Sequence, residues 1–277
     1  RDFEHRFGRA PEGMWLPETA VDLETLEILA ERGIKFTILA PRQAARVRRI
    51  GGRTWHDVSG ERVDPSTAYL LRLPSRRRLN VFFYDGPISR GVAFEGLLNN
   101  GEVFAQRLVG SFADEETHPG AQLVHIATDG ETYGHHHRRG EMALSYALHY
   151  IESNNLAEVT NYADYLERHP AMHQVEIFEN SSWSCVHGVE RWRSNCGCNS
   201  GRPGWNQEWR APLRAALDWL RDDLAPRFAS KAGEFLKDPW VARNDYIRVI
   251  LDRSPRSVPK FLAKHAVGKL SEPAEAM

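Results

Sequence analysis

An apolar run, Leu123–Ala127, leads into the stretch Thr128-Asp129-Gly130-Glu131-Thr132-Tyr133-Gly134-His135-His136-His137. Two carboxylates, a phenol and three imidazoles thus crowd the exit of a buried-strand pattern, and a helical pattern resumes near Gly140. In α/β architectures the strand exit is where ligands bind and reactions occur. A second carboxylate, Glu18, has the same setting. Pro17 drives Leu16 to an extended conformation, so Met14–Leu16 is expected to end a strand. Thr19 and Asp22 have capping-box spacing, Leu23, Leu26 and Ala30 follow at helical spacing, and Gly33 suits the stop. From local sequence alone, the commoner role for Glu18 is a surface carboxylate that complements the helix dipole. Paired with Asp129 across the mouth of a β/α barrel, it has another. One carboxyl attacks or stabilises an oxocarbenium-like carbon while the other protonates the leaving oxygen, the chemistry of glycoside cleavage.

Other groups are candidates to line such a site. Trp15, Trp183 and Trp192 suit stacking on sugar rings, although Trp is also an ordinary apolar anchor. Glu131, Tyr133, His135 and His136 lie in the Asp129 loop. His135, His136 and His137 point in different directions and do not all ligate one ion, so one or two are assigned to substrate. His187, Glu190 and Arg191 share with Trp183 and Trp192 a long loop, residues 180–206, that again leaves a strand end. Loops of that length are usually functional or disordered, and its Trp content argues against disorder. Cys185, His187, Cys196 and Cys198 in this loop read first as an active-site wall. Zinc binding or a redox pair is the alternative, because the spacings are tighter than in usual structural-zinc loops. No metal is assigned and no cofactor is expected.

The elements that must position these groups alternate. Strand patterns occur at Ile34–Leu39, Leu79–Tyr84, Leu123–Ala127 and Gln174–Phe178, and an edge strand or hairpin arm is expected over Ala68–Leu73. Helical patterns fall at 43–50, at two places between Ile88 and Phe112, at Glu141–Glu152 and at Asn161–Arg168. Such alternation implies βαβ units and a mainly parallel sheet. From Asn206 the pattern is all-helical, with Trp209, Leu213, Leu217 and Leu220 as an apolar stripe expected to pack in a core, and the polar end, Gly268–Met277, is expected to fray. The expected division is an incomplete barrel over 1–205 and a helical region over 206–277.

The 277 residues carry a formal net charge of −1, without the basic excess of a nucleic-acid binder. No apolar run approaches the ~20 residues of a membrane span. No charged-then-apolar leader opens the chain, so a cytoplasmic location is expected. Three Cys do not make a disulfide framework. Oligomeric state is not legible.

Two of these stretches together carry a resemblance. Gly13-Met-Trp-Leu-Pro-Glu18 and Thr128-Asp129-Gly130-Glu131-Thr132-Tyr133-Gly134 resemble two signature regions of glycoside hydrolase family 57. Residues Ser182–Trp192 resemble a subgroup of that family of undefined activity. The family contains α-amylase-like enzymes, 4-α-glucanotransferases, amylopullulanases and branching enzymes. The resemblance implies an incomplete seven-stranded β/α barrel followed by a helical region. It also implies a retaining mechanism on α-glucans through a covalent glycosyl-enzyme intermediate, with Glu18 as nucleophile and Asp129 as acid/base. The partner it implies is an oligo- or polysaccharide. The family's opening His-Gln-Pro motif does not occur here and residue 1 is Arg, so the chain is expected to be a fragment lacking the first strands. Two other readings compete. One is a metal-dependent carbohydrate deacetylase on a related barrel, with Asp129, His135 and His136 as ligands. The other is a non-catalytic carbohydrate-binding protein.

Overall fold

The computed structural model describes residues 1–270, and the rest of the polar end lies outside the described residues. The described residues fall into two compact units, one running from Glu12 to Val189 and the other combining Arg1–Pro11 with the chain from Glu190 onward.

The first unit is built on a seven-stranded mixed sheet: β1 (Gly13–Met14), β2 (Phe36–Leu39), β3 (Ala44–Arg49), β4 (His56–Asp57), β5 (Ala68–Arg72), β6 (Arg78–Phe83) and β7 (His173–Ile177). Their spatial order is β1-β2-β6-β5-β7-β3-β4. The β1–β2, β2–β6 and β5–β7 pairs are parallel, and β5–β6, β3–β7 and β3–β4 are antiparallel. Helices α2 (Leu23–Glu31), α3 (Gly86–Phe94), α4 (Gly101–Val109), α5 (Gly140–Ser153) and α6 (Tyr162–Arg168) complete the unit. The α/β class read from the alternation of patterns is what forms.

Helix starts follow the side chains able to satisfy orphan N–H groups. Asp22 accepts from Thr25 N at 2.8 Å, Asp85 from Ile88 N at 2.8 Å and Asn100 from Glu102 N at 2.9 Å; such caps contribute ~1 kcal/mol each. The cap of α2 is therefore Asp22 and not Thr19, which is fully buried and turned to other use. Leu26 and Leu29 of α2 pack on Leu39, Leu71, Val81, Phe83 and Val175 of the sheet. On a second core, Ile88 and Val92 of α3 meet Phe104 of α4 and Ala143, Ala147 and Ile151 of α5.

Two expectations are corrected in this unit, and a third is narrowed to one of its two alternatives. Residues 44–49 form a strand, not a helix, because ladders to β7 and β4 supply backbone partners on both sides. The β5 strand is a hairpin arm, as expected, but lies inside the sheet between β6 and β7. Leu123–Ala127 is extended without joining a ladder: Leu123 N donates to Ser66 O at 2.8 Å, His125 O accepts from Asp85 N at 2.9 Å, and Ala127 N donates to Ser89 Oγ at 3.1 Å. These single partners from loops and helix α3 take the place of a neighbouring strand at three of its backbone groups.

The second unit is helical: α1 (Asp2–Phe7), α7 (Glu190–Arg193), α8 (Arg210–Gly233), α9 (Pro239–Asp245), α10 (Ile247–Leu251) and α11 (Ser257–His265), the last four being the helical region expected after Asn206. Its polar centre is Asp245, which is buried and accepts from Lys264 Nζ at 2.7 Å, His265 Nε2 at 2.9 Å, Arg248 Nε at 2.8 Å and Arg1 Nη1 at 3.0 Å. Hydrogen bonds from Lys264, His265 and Arg248 hold its carboxyl well below the usual carboxylate range. The stripe Trp209, Leu213, Leu217 and Leu220 does not pack in a core. These side chains are 43–54 % exposed, because apolar spacing marks a face and leaves open what covers it. No helix among the described residues is long and apolar enough to cross a membrane.

Candidate active site

Glu18 stands on a 3-10 turn, Pro17–Thr19, immediately after β1. Its backbone is left-handed, with φ 60° and ψ 14°, and Thr19 follows at φ 49°. Left-handed backbone costs a residue with a Cβ ~1–2 kcal/mol, and two such residues in succession need outside support. Gln43, fully buried, supplies it. Its Oε1 accepts from Thr19 Oγ1 and from Ala40 N, and its Nε2 donates to Thr19 O, each at 2.8 Å, and to Ser181 Oγ at 2.9 Å.

The long loop after β7 straps the same turn from outside. Val21 N donates to Ser181 O at 3.1 Å and Trp183 N donates to Glu18 O at 3.0 Å. Arg42 fixes the strap by donating from Nε and Nη2 to Ser182 O at 3.1 and 2.7 Å. The consequence is local and chemical. Glu18 Oε2 accepts from Trp183 Nε1 at 3.0 Å and from Ser184 Oγ at 2.5 Å. One carboxylate oxygen is thereby held by two donors. The Trp183 ring is wedged between Trp15, at 5.0 Å centroid to centroid and edge-on, and Tyr84, at 6.2 Å. Burial pushes the Tyr84 phenol up to about 12, so it stays protonated and neutral beside the indole.

Asp129 opens the 3-10 turn Gly130–Thr132, and its carbonyl accepts from Thr132 N at 3.0 Å. Its side chain is exposed and lines a cavity of about 520 Å³ together with Trp15, Ile126, Thr128, Tyr133 and Tyr162. That volume lies in the range of small-molecule sites. Tyr133 OH accepts from Thr128 Oγ1 at 3.1 Å, which fixes the phenol on the wall. Trp15 joins the two halves of the site, lining the Asp129 cavity on one side and packing on Trp183, the donor to Glu18, on the other.

The remaining predicted residues divide. Glu131, His135 and His136 are exposed and do not line the cavity; Glu131 O accepts from His135 N at 3.1 Å and His136 N at 2.9 Å, closing the loop on itself. His137 is committed to structure, its Nε2 lying 2.9 Å from Ala93 O. Among the described residues, Asp129, His135 and His136 do not gather as a set of ligands. Glu190, Arg191 and Trp192 belong to α7 of the helical unit, where Glu190 accepts from Arg193 Nε at 2.8 Å and Ser194 Oγ at 2.6 Å.

Sequence reasoning missed Ser184, Gln43 and Tyr162. Ser184 adjoins Trp183, so the loop was visible but not the partner. Gln43 follows the exit of β2, the same signal that marked Glu18 and Asp129. Tyr162 begins α6 and touches His125, its hydroxyl 3.0 Å from His125 Nδ1. Burial pushes His125 down to about 4 and raises the Tyr162 phenol, so the pair is neutral.

The chain matches the family model "Glycosyl hydrolase family 57" over residues 2–177 and the model "Domain of unknown function (DUF3536)" over residues 205–276. Solved structures share the fold. An exo-type maltose-forming amylase from Pyrococcus sp. ST04 is 18 % identical, with a TM-score of 0.52 over 74 % of this chain and 35 % of that one. A branching enzyme of the family from the hyperthermophilic archaeon Thermococcus kodakaraensis is 17 % identical, with a TM-score of 0.50 over 69 % of this chain and 45 % of that one. The chain thus spans less than half the length of either structure. No curated protein matches it. The family model covers more than half of the residues and includes both the Glu18 turn and the Asp129 loop, and on that ground the chain belongs to glycosyl hydrolase family 57.

Proposed function

We propose that this chain carries the catalytic carboxylates of a retaining enzyme acting on α-glucans, with Glu18 as nucleophile and Asp129 as acid/base. The observation that carries the reading is the treatment of Glu18. A left-handed turn, locked from inside by Gln43 and from outside by the 180–184 strap, presents one carboxylate with two donors on Oε2. Such strain persists only where the surroundings over-determine it, and it clusters at functional sites. A purely surface carboxylate at a helix start has no need of this support.

In the proposed reaction Glu18 Oε1 attacks the anomeric carbon while Asp129 gives its proton to the departing oxygen. Asp129 then takes a proton from the incoming water or sugar hydroxyl, and the glycosyl–Glu18 ester breaks. That course needs the two carboxyl groups ~5–5.5 Å apart when substrate is bound. Trp15, Tyr133 and Trp183 offer the aromatic surface for a sugar ring. The amylase and branching activities of the structures that share the fold support glucan as the substrate class. The deacetylase reading loses its ligand set, since Asp129, His135 and His136 stay apart.

The test is Glu18→Gln and Asp129→Asn in the full-length protein, assayed on maltooligosaccharide and glycogen. Both variants are expected to lose turnover, and azide to restore it in Glu18→Ala or Asp129→Ala through an azido-sugar product. Undiminished turnover in both variants overturns the assignment. Glucan binding without product in the wild type would favour the carbohydrate-binding alternative.

A further inference from the structure

We infer that Ser89 and Asp64 are positioning residues for the acid/base carboxyl, because between them they fix the extended segment that delivers Asp129 to its cavity. The inference rests on the assignment of Asp129 as acid/base, and its test separates the two.

Leu123–Ala127 belongs to no ladder among the described residues. In an extended chain the backbone groups of alternate residues point to the same side. Leu123, His125 and Ala127 share a side, and each meets a different partner there: Ser66 O at 2.8 Å, Asp85 N at 2.9 Å and Ser89 Oγ at 3.1 Å. Two of these partners come from the start of α3 and one from the turn Asp64-Pro65-Ser66.

Ser89 is the post nearest to the chemistry, since Ala127 stands two residues before Asp129. Its side chain is buried, and its hydroxyl proton is committed to Asp85 O at 2.6 Å. Serine in a helix often bonds back to the carbonyl four residues earlier. Here that bond leaves the oxygen's lone pairs for Ala127 N, so one hydroxyl ties the helix start to the Asp129 segment. Asp85, the cap of α3, directly follows Tyr84, whose N donates to Leu39 O at the end of β2 at 3.3 Å. β6, β2 and β1 are consecutive parallel strands, and Glu18 stands just after β1. Ser89 therefore refers Asp129 to the same three strands that carry Glu18.

Asp64 fixes the other end of the segment. Its Oδ1 accepts from Ser66 N at 2.9 Å and Ser66 Oγ at 2.7 Å, and its Oδ2 lies 2.8 Å from His118 Nε2. Burial by itself raises the Asp64 carboxyl; hydrogen bonds from Ser66 and His118 outweigh it and hold the group below its ordinary value. The turn closed in this way uses all three of its carbonyls. Asp64 O accepts from Tyr69 OH at 2.8 Å, Pro65 O faces His125 Nε2 at 3.1 Å, and Ser66 O accepts from Leu123 N and, at 3.3 Å, from Tyr165 OH. A carbonyl partner assigns the His125 proton to Nε2, so Nδ1 is left to accept from Tyr162 OH at 3.0 Å. Tyr162 lines the Asp129 cavity, so the turn orders one wall of the site as well as the segment.

A general acid acts only within ~2.6–3.2 Å of the atom it protonates, and a misplacement of ~1 Å costs on the order of 10²-fold in rate. A segment without strand neighbours depends on its few posts for that precision.

The full-length protein is assayed on maltooligosaccharide and on α-maltotriosyl fluoride, whose leaving group departs without a proton. Ser89→Ala is expected to lower kcat/KM on maltooligosaccharide about tenfold or more, and on the fluoride by less than about twofold. Asp129→Asn should show the same selectivity in larger measure. If it loses both substrates alike, or neither, the acid/base assignment fails and the positioning role falls with it. Amide exchange on peptides covering 121–129, followed by mass spectrometry, reads the mount without reference to activity. It should be about tenfold faster in Ser89→Ala, with exchange in α5 unchanged. Asp64→Asn keeps the side-chain shape and replaces one acceptor oxygen with an amide. It is expected to show both effects in smaller measure, and it decides the matter if Ser89→Ala does not fold. Equal losses on the two substrates in either variant, or exchange across 121–129 no faster than in the wild type, overturns the proposal.

Discussion

Replacing Gln43 with Met removes four hydrogen bonds from the interior while nearly preserving side-chain volume. Gln43 is fully buried, so water does not take over its partners. The variant strands Ala40 N, Thr19 O and the Thr19 hydroxyl, each of which now meets the amide at 2.8 Å. Ser181 Oγ fares better, because it also donates to Phe178 O at 2.5 Å. A buried polar group left without its partner costs ~1–3 kcal/mol. Three such groups give a loss of about 3 kcal/mol at the low end of that range. Against a typical total of ~5–15 kcal/mol, such a loss shifts a urea midpoint measurably. The assay is equilibrium urea denaturation followed by circular dichroism, with the slope of the transition unchanged so that the midpoint reports stability. Ser181→Ala serves as the comparison and is expected to cost ~1 kcal/mol. The loss in Gln43→Met should come with reduced turnover, because Thr19 and hence Glu18 are free to leave the left-handed region. A loss below about 1 kcal/mol, or one no greater than that of Ser181→Ala, refutes the claim that Gln43 holds the turn.

Three further outcomes are expected. Ser184→Ala removes the 2.5 Å donor to Glu18 Oε2 but leaves Trp183 Nε1 in place. A bond to a charged acceptor contributes ~1.5–3 kcal/mol, and for an exposed carboxylate the low end applies, so kcat/KM should fall about tenfold with the melting temperature unchanged; an unaltered kcat/KM contradicts the positioning role. His125, lowered by burial from 6.5 to about 4, binds its proton more readily in the unfolded chain. Its contribution is therefore complete above about pH 6.5 and is lost as pH falls toward about 4, on the order of 3 kcal/mol in total. Urea midpoints at about pH 7.5 and about pH 5 should differ less in His125→Gln than in the wild type, and equal pH dependence in both proteins speaks against it. In Gly188→Ala the new Cβ would lie 1.9 Å from Asn180 O at a backbone φ of +63°. Because the obstacle is backbone, the Asn180–Ser181 strap must move, and limited proteolysis should cut the 180–206 loop faster; an unchanged cleavage pattern argues that the strap yields without cost.

Local physics made much of this legible. The helices at 86–94, 101–109, 140–153 and 162–168 follow from periodicity and from caps such as Asp85, Asn100 and Asn161, which act within a few residues. The strands at 36–39 and 78–83 follow from short β-branched and aromatic runs bounded by turn residues. The two motif carboxylates, each after an extended segment, also followed from near neighbours. Residues 44–49 did not, because Ala44-Ala-Arg-Val-Arg-Arg49 suits either period and its ladder partners lie far away in the chain. Leu123–Ala127 reads as a strand by composition, but a strand is a relation between two segments, and its backbone finds single partners instead.

Residue types, helix starts, and the turns that bring acidic groups to the ends of extended segments are fixed by interactions within a few positions, and the sequence by itself determines them. Which face of Arg210–Gly233 is covered, whether 44–49 is helix or strand, and which side chains grip Glu18 were decided by the tertiary structure. Gln43, Trp183 and Ser184 reach that turn from distant segments, and a buried amide or a donor to a carboxylate has no signature until the group it satisfies is beside it.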